Sequence, residues 1–475
     1  MYLLTYFIFW YDYVALPFYL MVVAGILMYY FNKKHRDEPE LKKLFTQGMV
    51  LKLIGSVAIG LIYEIYYRGM YDGRWYFEGA TILTDYFQKH PGEIWHVLTS
   101  GIKDFNSTNL DGLNTENFYL FADESFFVAK VGSLINFFTF DMFLPLSLGF
   151  CMFAYIALWN FFIFIRKEFA IQTRLAAFAT IFIPSVLVWD SSIFKDTITF
   201  SALCWLFITG YYTFVKPRRV YINLAGFALA AYFIISVKVY IFAAFVPFFL
   251  LFVFNSLKHK IRNDAVRVLS TPFVLIFAAG GMFLFLSNAN ELLGRYSVEN
   301  ALETASNTYN SITMYGGVAG SSYDLNVDLT SPVGIITAIP IGINLTLFRP
   351  YPWEYGKIFI FVASIESMLV LYFTVRLVFR GGIGSTFRII ASNPILQFCL
   401  LFTGLFAFMT GMAAANFGTL VRYKIPCLPF YFLFLVFLYQ KKVAEAQEKQ
   451  DAMLREEERR SQPSQLSADT PVHSS

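Results

Sequence analysis

The chain has 475 residues, of which 57% are hydrophobic, 19% aromatic and only 15% charged, with a formal net charge of +4. A soluble domain carries about 25% charge, so these figures exclude an ordinary soluble enzyme, a coiled coil and a disordered chain. The small net charge gives no case for a nucleic-acid partner.

What remains is an all-α polytopic membrane protein, in which lipid takes up the apolar surface that a core would otherwise hide. The 55 Phe and 30 Tyr are spread over the whole length, as that reading requires. The N-terminal text MYLLTYFIFWYDYVAL lacks a basic start and a small-residue cleavage site, so it reads as the lead-in to a retained helix.

About 20 apolar residues cross a bilayer as a helix. Eleven such runs are predicted, with ten to twelve as the range. They lie near 12–31, 48–66, 143–165, 175–189, 197–215, 220–237, 239–256, 270–288, 358–375, 394–413 and 425–440. Only Lys238 separates 220–237 from 239–256, so one long kinked element is the alternative there. This transmembrane domain occupies 1–440. A charged helical stretch and a disordered end follow over 441–475.

Connections on one side of these spans hold twice as many Lys and Arg as those on the other. The positive-inside rule places the richer side, and the C-terminus, in the cytoplasm. Two long loops, 67–142 and 289–357, then lie on the outer face. Cys151, Cys204, Cys399 and Cys427 all sit in apolar runs without metal-ligand spacing, and read as buried thiols. The five histidines form no cluster, and no internal repeat marks a two-halved transporter.

Ionisable groups at membrane depth are costly and usually functional. Several are expected together at the outer boundary: Asp72, then Asp190, Lys195 and Asp196 in WDSSIFKD, Lys238 in ISVKVY, Arg349 and Glu354 in LFRPYPWE, and Arg422 and Lys424 in VRYKIP. Arg and Lys supply charge and donors for phosphate oxygens. A carboxylate beside them can take a proton from a hydroxyl. Trp75, Tyr76, Tyr351 and Trp353 stand next to these charges, where a ring can stack on a sugar. Each group also has a plainer reading. Lys238 and Lys424 can snorkel to the interface, Arg349 can anchor a Pro-rich turn, and Asp190 and Asp196 can cap a helix. Glu366, in mid-span, is expected to be protonated or to pair across helices, for instance with Lys52.

These residues resemble the GT-C superfamily of integral membrane glycosyltransferases. Members of that superfamily related to the protein mannosyltransferases and aminoarabinose transferases carry Gly-Asp-x-x-x-Tyr in the first large outer loop. The corresponding stretch here is YDGRWYF, with Asp72 and Tyr76 four apart. Tyr71 replaces the glycine, and no second acid adjoins Asp72. VRYKIPCLPFYF is similar to the family's Arg-Tyr-x-x-Pro-x-x-Pro, through Arg422, Tyr423, Pro426 and Pro429.

The resemblance implies transfer of a sugar from a polyprenyl-phosphate-linked donor to a glycan, lipid or protein acceptor, at the outer face of a bacterial inner membrane. Asp72 would be the general base. Arg349 and Arg422, with Lys195 and Lys238, would hold the donor phosphate. Tyr76, Trp75, Trp353 and Glu354 would face the substrate, and loop 289–357 would close over it. A divalent metal is left open. A Wzy-type polymerase of lipid-linked oligosaccharides and a lipid-linked glycan flippase are the alternatives. A scaffold that acts through its tail is a further one.

Overall fold

The computed structural model describes residues 7–67, 69, 72–102, 122–258, 332–354, 358–414 and 416–461, with short pieces at 273–274, 276–277 and 280–281. Most of the expected span 270–288 and of the loop 289–357 lies outside the described residues. So do 103–121 and the chain end from 462.

The described residues form helices throughout. In chain order they are α1 (Trp10–His35), α2 (Pro39–Leu61, continued by a π-turn Ile62–Tyr66), α3 (Asp72–Lys89), α4 (Ile94–Thr99), α5 (Asp123–Asn136), α6 (Phe143–Glu168), α7 (Thr173–Thr180), α8 (Pro184–Trp189), α9 (Lys195–Gly210, continued by a π-turn Tyr211–Val215) and α10 (Val220–Leu257). After the next described stretch begins come α11 (Pro332–Phe348), α12 (Ile358–Phe379), α13 (Ile383–Ser392), α14 (Pro394–Ala413), α15 (Phe417–Tyr423) and α16 (Leu428–Ser461). Pro39, Pro184 and Pro394 each stand in the first turn of their helices, where a missing N–H costs nothing.

Among the described residues, seven helices are long and apolar enough to cross a membrane: α1, α2 with its π-turn, α6, α9 with its π-turn, α10, α12 and α14. The pair α15–α16, bent by 65°, makes an eighth. The chain is therefore built as a multi-pass membrane protein.

Helix α10 is in fact a hairpin. A straight helix would put residues 22 apart about 33 Å from each other. Yet the rings of Phe227 and Phe249 lie 6.2 Å apart, and both close on Gly210. The backbone leaves helical geometry at Lys238 (φ −146°, ψ 73°), and the chain turns back there. Stretches 220–237 and 239–257 are thus two antiparallel arms with Lys238 at the apex. The expected span at 175–189 is broken into the short helices α7 and α8.

One end of the bundle gathers the starts of α1, α6 and α9, the end of α2 and the apex of α10. There Asp12 of α1 accepts a hydrogen bond from the backbone N–H of Leu144 in the first turn of α6 (2.9 Å). This end carries a cap of helices α3, α4 and α5. Tyr76, Phe77, Ala80, Leu83, Thr84 and Phe87 recur at helical spacing on α3 and are all buried. They pack on α5, where Gly132 lets Ala80 approach closely. The cap is thus a folded layer made from the ends of the loop 67–142.

At the opposite end, α16 leaves the bundle as a continuous helix. Buried Lys442 fixes its root, donating to the carbonyls of Val378 and Arg380 and to the Thr386 hydroxyl (2.6 Å). The charged stretch 441–461 is helical and mostly exposed beyond that point.

Candidate functional site

Four charged side chains from four separate helices meet under the cap. Arg422 sits near the end of α15, a short helix started by Asn416, whose side chain accepts from the Thr419 N–H (2.8 Å). Arg422 Nη2 lies 2.8 Å from Oδ2 of Asp72, the first residue of α3. Arg422 Nε lies 3.0 Å from Oδ2 of Asp196, in the first turn of α9. That N–H is not aimed at the oxygen, so this contact is an ion pair rather than an aligned hydrogen bond. Lys238, at the apex of α10, donates to Oδ1 of Asp196.

Aromatic rings wall the cluster. The guanidinium of Arg422 lies over Phe194 (5.2 Å) and Tyr423 (5.5 Å), and the Lys238 ammonium lies over Tyr423 (4.8 Å). Two acids and two bases leave the four groups neutral as a set. Access is uneven. Asp196 is fully buried, whereas the side chains of Asp72 and Arg422 are 31% and 16% exposed.

The remaining expected site residues divide. Lys195 is half-buried at the start of α9, beside Asp196. Arg349 forms a fork pair with Glu354, Nε to Oε2 at 3.0 Å and Nη2 to Oε1, and lies over the ring of Phe417 (5.1 Å) at the start of α15. It flanks the four-residue cluster, with its charge already matched by Glu354. Trp353 is exposed and stacks on Tyr351 (4.9 Å). Trp75 is half-buried, with Arg74 over its ring.

Tyr76 is 3% exposed and packs in the apolar layer with Phe77, Phe143 and Phe194, because it falls on the buried stripe of α3.

The turn WDSSIFKD is corrected. It was expected as an outer-face connection open to solvent; Asp190, Ser191, Ser192, Ile193, Phe194 and Asp196 are all fully buried within the protein, which leaves the expected side of the membrane unchanged. Asp190 stands at the C-terminal end of α8, so it caps no helix start. It binds Lys52 of α2 instead (2.8 Å), and Lys52 also donates to the Val186 carbonyl (2.9 Å). Glu366 therefore does not pair with Lys52. Its oxygens accept from the backbone N–H and the hydroxyl of Ser185, both at 2.8 Å. Lys424 is buried rather than snorkelling, and donates to the Ser367 hydroxyl (3.1 Å).

Asp196 was expected among the outer charges but given no part in holding the substrate, with helix capping as its plainer reading. It does lie at a helix start, but its oxygens serve Lys238 and Arg422. A sequence signal existed, since Asp196 and Lys238 both interrupt otherwise apolar text. Among the described residues, no three His, Cys, Asp or Glu side chains come together as a metal-ligand set. All four cysteines are buried free thiols. No family model matches the chain, and neither the curated proteins nor the solved structures contain a match to it.

Proposed function

We propose that this protein is an integral membrane glycosyltransferase that moves a sugar from a polyprenyl-phosphate-linked donor to a hydroxyl of a glycan, lipid or protein. On this reading the cap faces outward from a bacterial inner membrane and the tail lies in the cytoplasm. The distribution of Lys and Arg supports that orientation. The observation that carries the chemistry is the meeting of Asp72 with Arg422, and through Asp196 with Lys238, at one partly open point under the cap.

The chemistry follows from the groups. The bond between the sugar's anomeric carbon and the phosphate oxygen breaks, and its electron pair stays on the phosphate. The acceptor oxygen forms the new bond to that carbon. Asp72 takes the acceptor's proton. Arg422 and Lys238 meet the charge that grows on the departing phosphate, in a site walled by Phe194 and Tyr423 where each contact is strengthened. Asp196 keeps both cations in place.

The test is complementation, in a host whose surface glycan depends on this protein, with membrane levels checked. Asp72→Asn and Arg422→Ala are each expected to insert normally and to lower glycan output by about 100-fold or more. Full activity of Asp72→Asn would remove the general base and with it the proposed reaction.

A further inference from the structure

Arg422 holds two carboxylates on different terms. Asp196 is fully buried, belongs to the bundle and is also bound by Lys238. Asp72 belongs to the cap, is 31% exposed and occupies Nη2 of the guanidinium. A guanidinium binds a phosphate through its N–H fork, so a phosphate arriving from the open side meets Asp72 on a nitrogen that it needs. The exchange is balanced in charge. Asp72 contributes one negative charge to a neutral set, and the phosphodiester of a lipid-linked sugar also carries one.

The exchange changes Asp72 as well. While the pair holds, Oδ2 of Asp72 is taken up by Nη2 of Arg422. Once a phosphate takes that nitrogen, the oxygen is released to accept a hydrogen bond from the acceptor's hydroxyl.

We infer that Asp72 is an exchangeable partner of Arg422, displaced by the donor's phosphate, so that the base is activated only once the donor is bound and the donor binds before the acceptor. Asp196 is the positioning residue that keeps Arg422 and Lys238 in place when Asp72 departs. This inference rests on the glycosyl-transfer reading. It adds an order of events and a role for the Asp72–Arg422 contact.

The test uses the purified full-length protein and decaprenyl phosphate as the probe, with binding followed by tryptophan fluorescence. A competing carboxylate lowers affinity, so Asp72→Asn is expected to bind the probe about three- to tenfold more tightly than the native protein. Asp72→Glu keeps the charge and is expected to match the native protein. Arg422→Ala is expected to lose binding. Asp196→Asn is expected to weaken it, with Asp196→Glu restoring part. If Asp72→Asn elutes as misfolded protein, Asp72→Ser takes its place.

Unchanged or weaker binding by Asp72→Asn, with binding still lost in Arg422→Ala, overturns the exchange and leaves the transferase reading standing. No binding of decaprenyl phosphate by any form overturns the transferase reading itself. Competition by phosphatidylglycerol as strong as that by the probe assigns the site to a bilayer headgroup and overturns the donor's part.

Discussion

Two ion pairs inside this molecule use the same chemistry in different surroundings. Lys52 and Asp190 meet at 2.8 Å with side chains 0% and 1% exposed, and the Val186 carbonyl takes a further hydrogen of the ammonium. Arg422 and Asp72 meet at the same distance, but on the partly open side of the cap. The first pair is closed by α2, α6 and α8. The second joins a cap helix to the bundle and leaves part of its charge accessible. Buried charge alone therefore does not mark a site, because it also occurs where opposite charges pair in a closed interior. Accessibility and the number of separate elements that converge distinguish the two.

The closed pair should give the largest effect on stability. Removing one partner strands a buried charge, which costs about 3–5 kcal/mol, whereas replacing both with apolar residues of similar size costs little. Lys52→Ala is thus expected to abolish recovery of folded protein, as judged by the elution profile and thermal unfolding. Lys52→Met combined with Asp190→Leu is expected to restore it, and with it the activity. A double variant that folds but stays inactive would move this pair into the working machinery and give the flippase reading its strongest support.

A second stability effect should leave the open cluster untouched. Gly342 of α11 and Gly411 of α14 lie so close that a Cβ on Gly411 would meet the Gly342 Cα at 2.8 Å. Both neighbouring groups are backbone, so the helices must separate. Gly411→Ala is expected to cost about 1–3 kcal/mol in thermal stability. Activity per folded molecule is expected to stay near native, and a loss of activity without a loss of stability would contradict this.

The smallest effect is expected at Arg349. Glu354 already matches its charge, and the two side chains are 22% and 19% exposed. This two-bond fork is complete without any of the four clustered charges. Arg349→Ala is expected to cut glycan output by less than about tenfold, well short of Arg422→Ala. Equal losses at the two positions would make Arg349 a phosphate ligand of the same rank.

Much of the fold was legible because lipid imposes a long apolar run on every crossing helix. Trp10–His35, Phe143–Glu168 and Pro394–Ala413 stand where the composition put them. The hairpin at Lys238 was legible as well, since a charge between two apolar runs has few low-cost places to go except a turn. The folded cap was less legible. The stripe on α3 gives helical periodicity but does not name α5 as its partner, and so the burial of Tyr76 was not legible. The buried turn around Asp190 and Asp196 was hidden for a related reason. Its text is polar and short, which fits an exposed connection equally well, and only the positions of Lys52, Lys238 and Arg422 show how its charges are met.

Asp72 is expected to stand at an open site on the outward face. The four native thiols are buried, so Asp72→Cys supplies the one accessible thiol among the described residues. A membrane-impermeant maleimide applied to intact spheroplasts is the most direct measurement. The account predicts labelling of Asp72→Cys from outside, with the native protein unlabelled. Labelling only after the cytoplasmic face is opened, or none on either side, would contradict it.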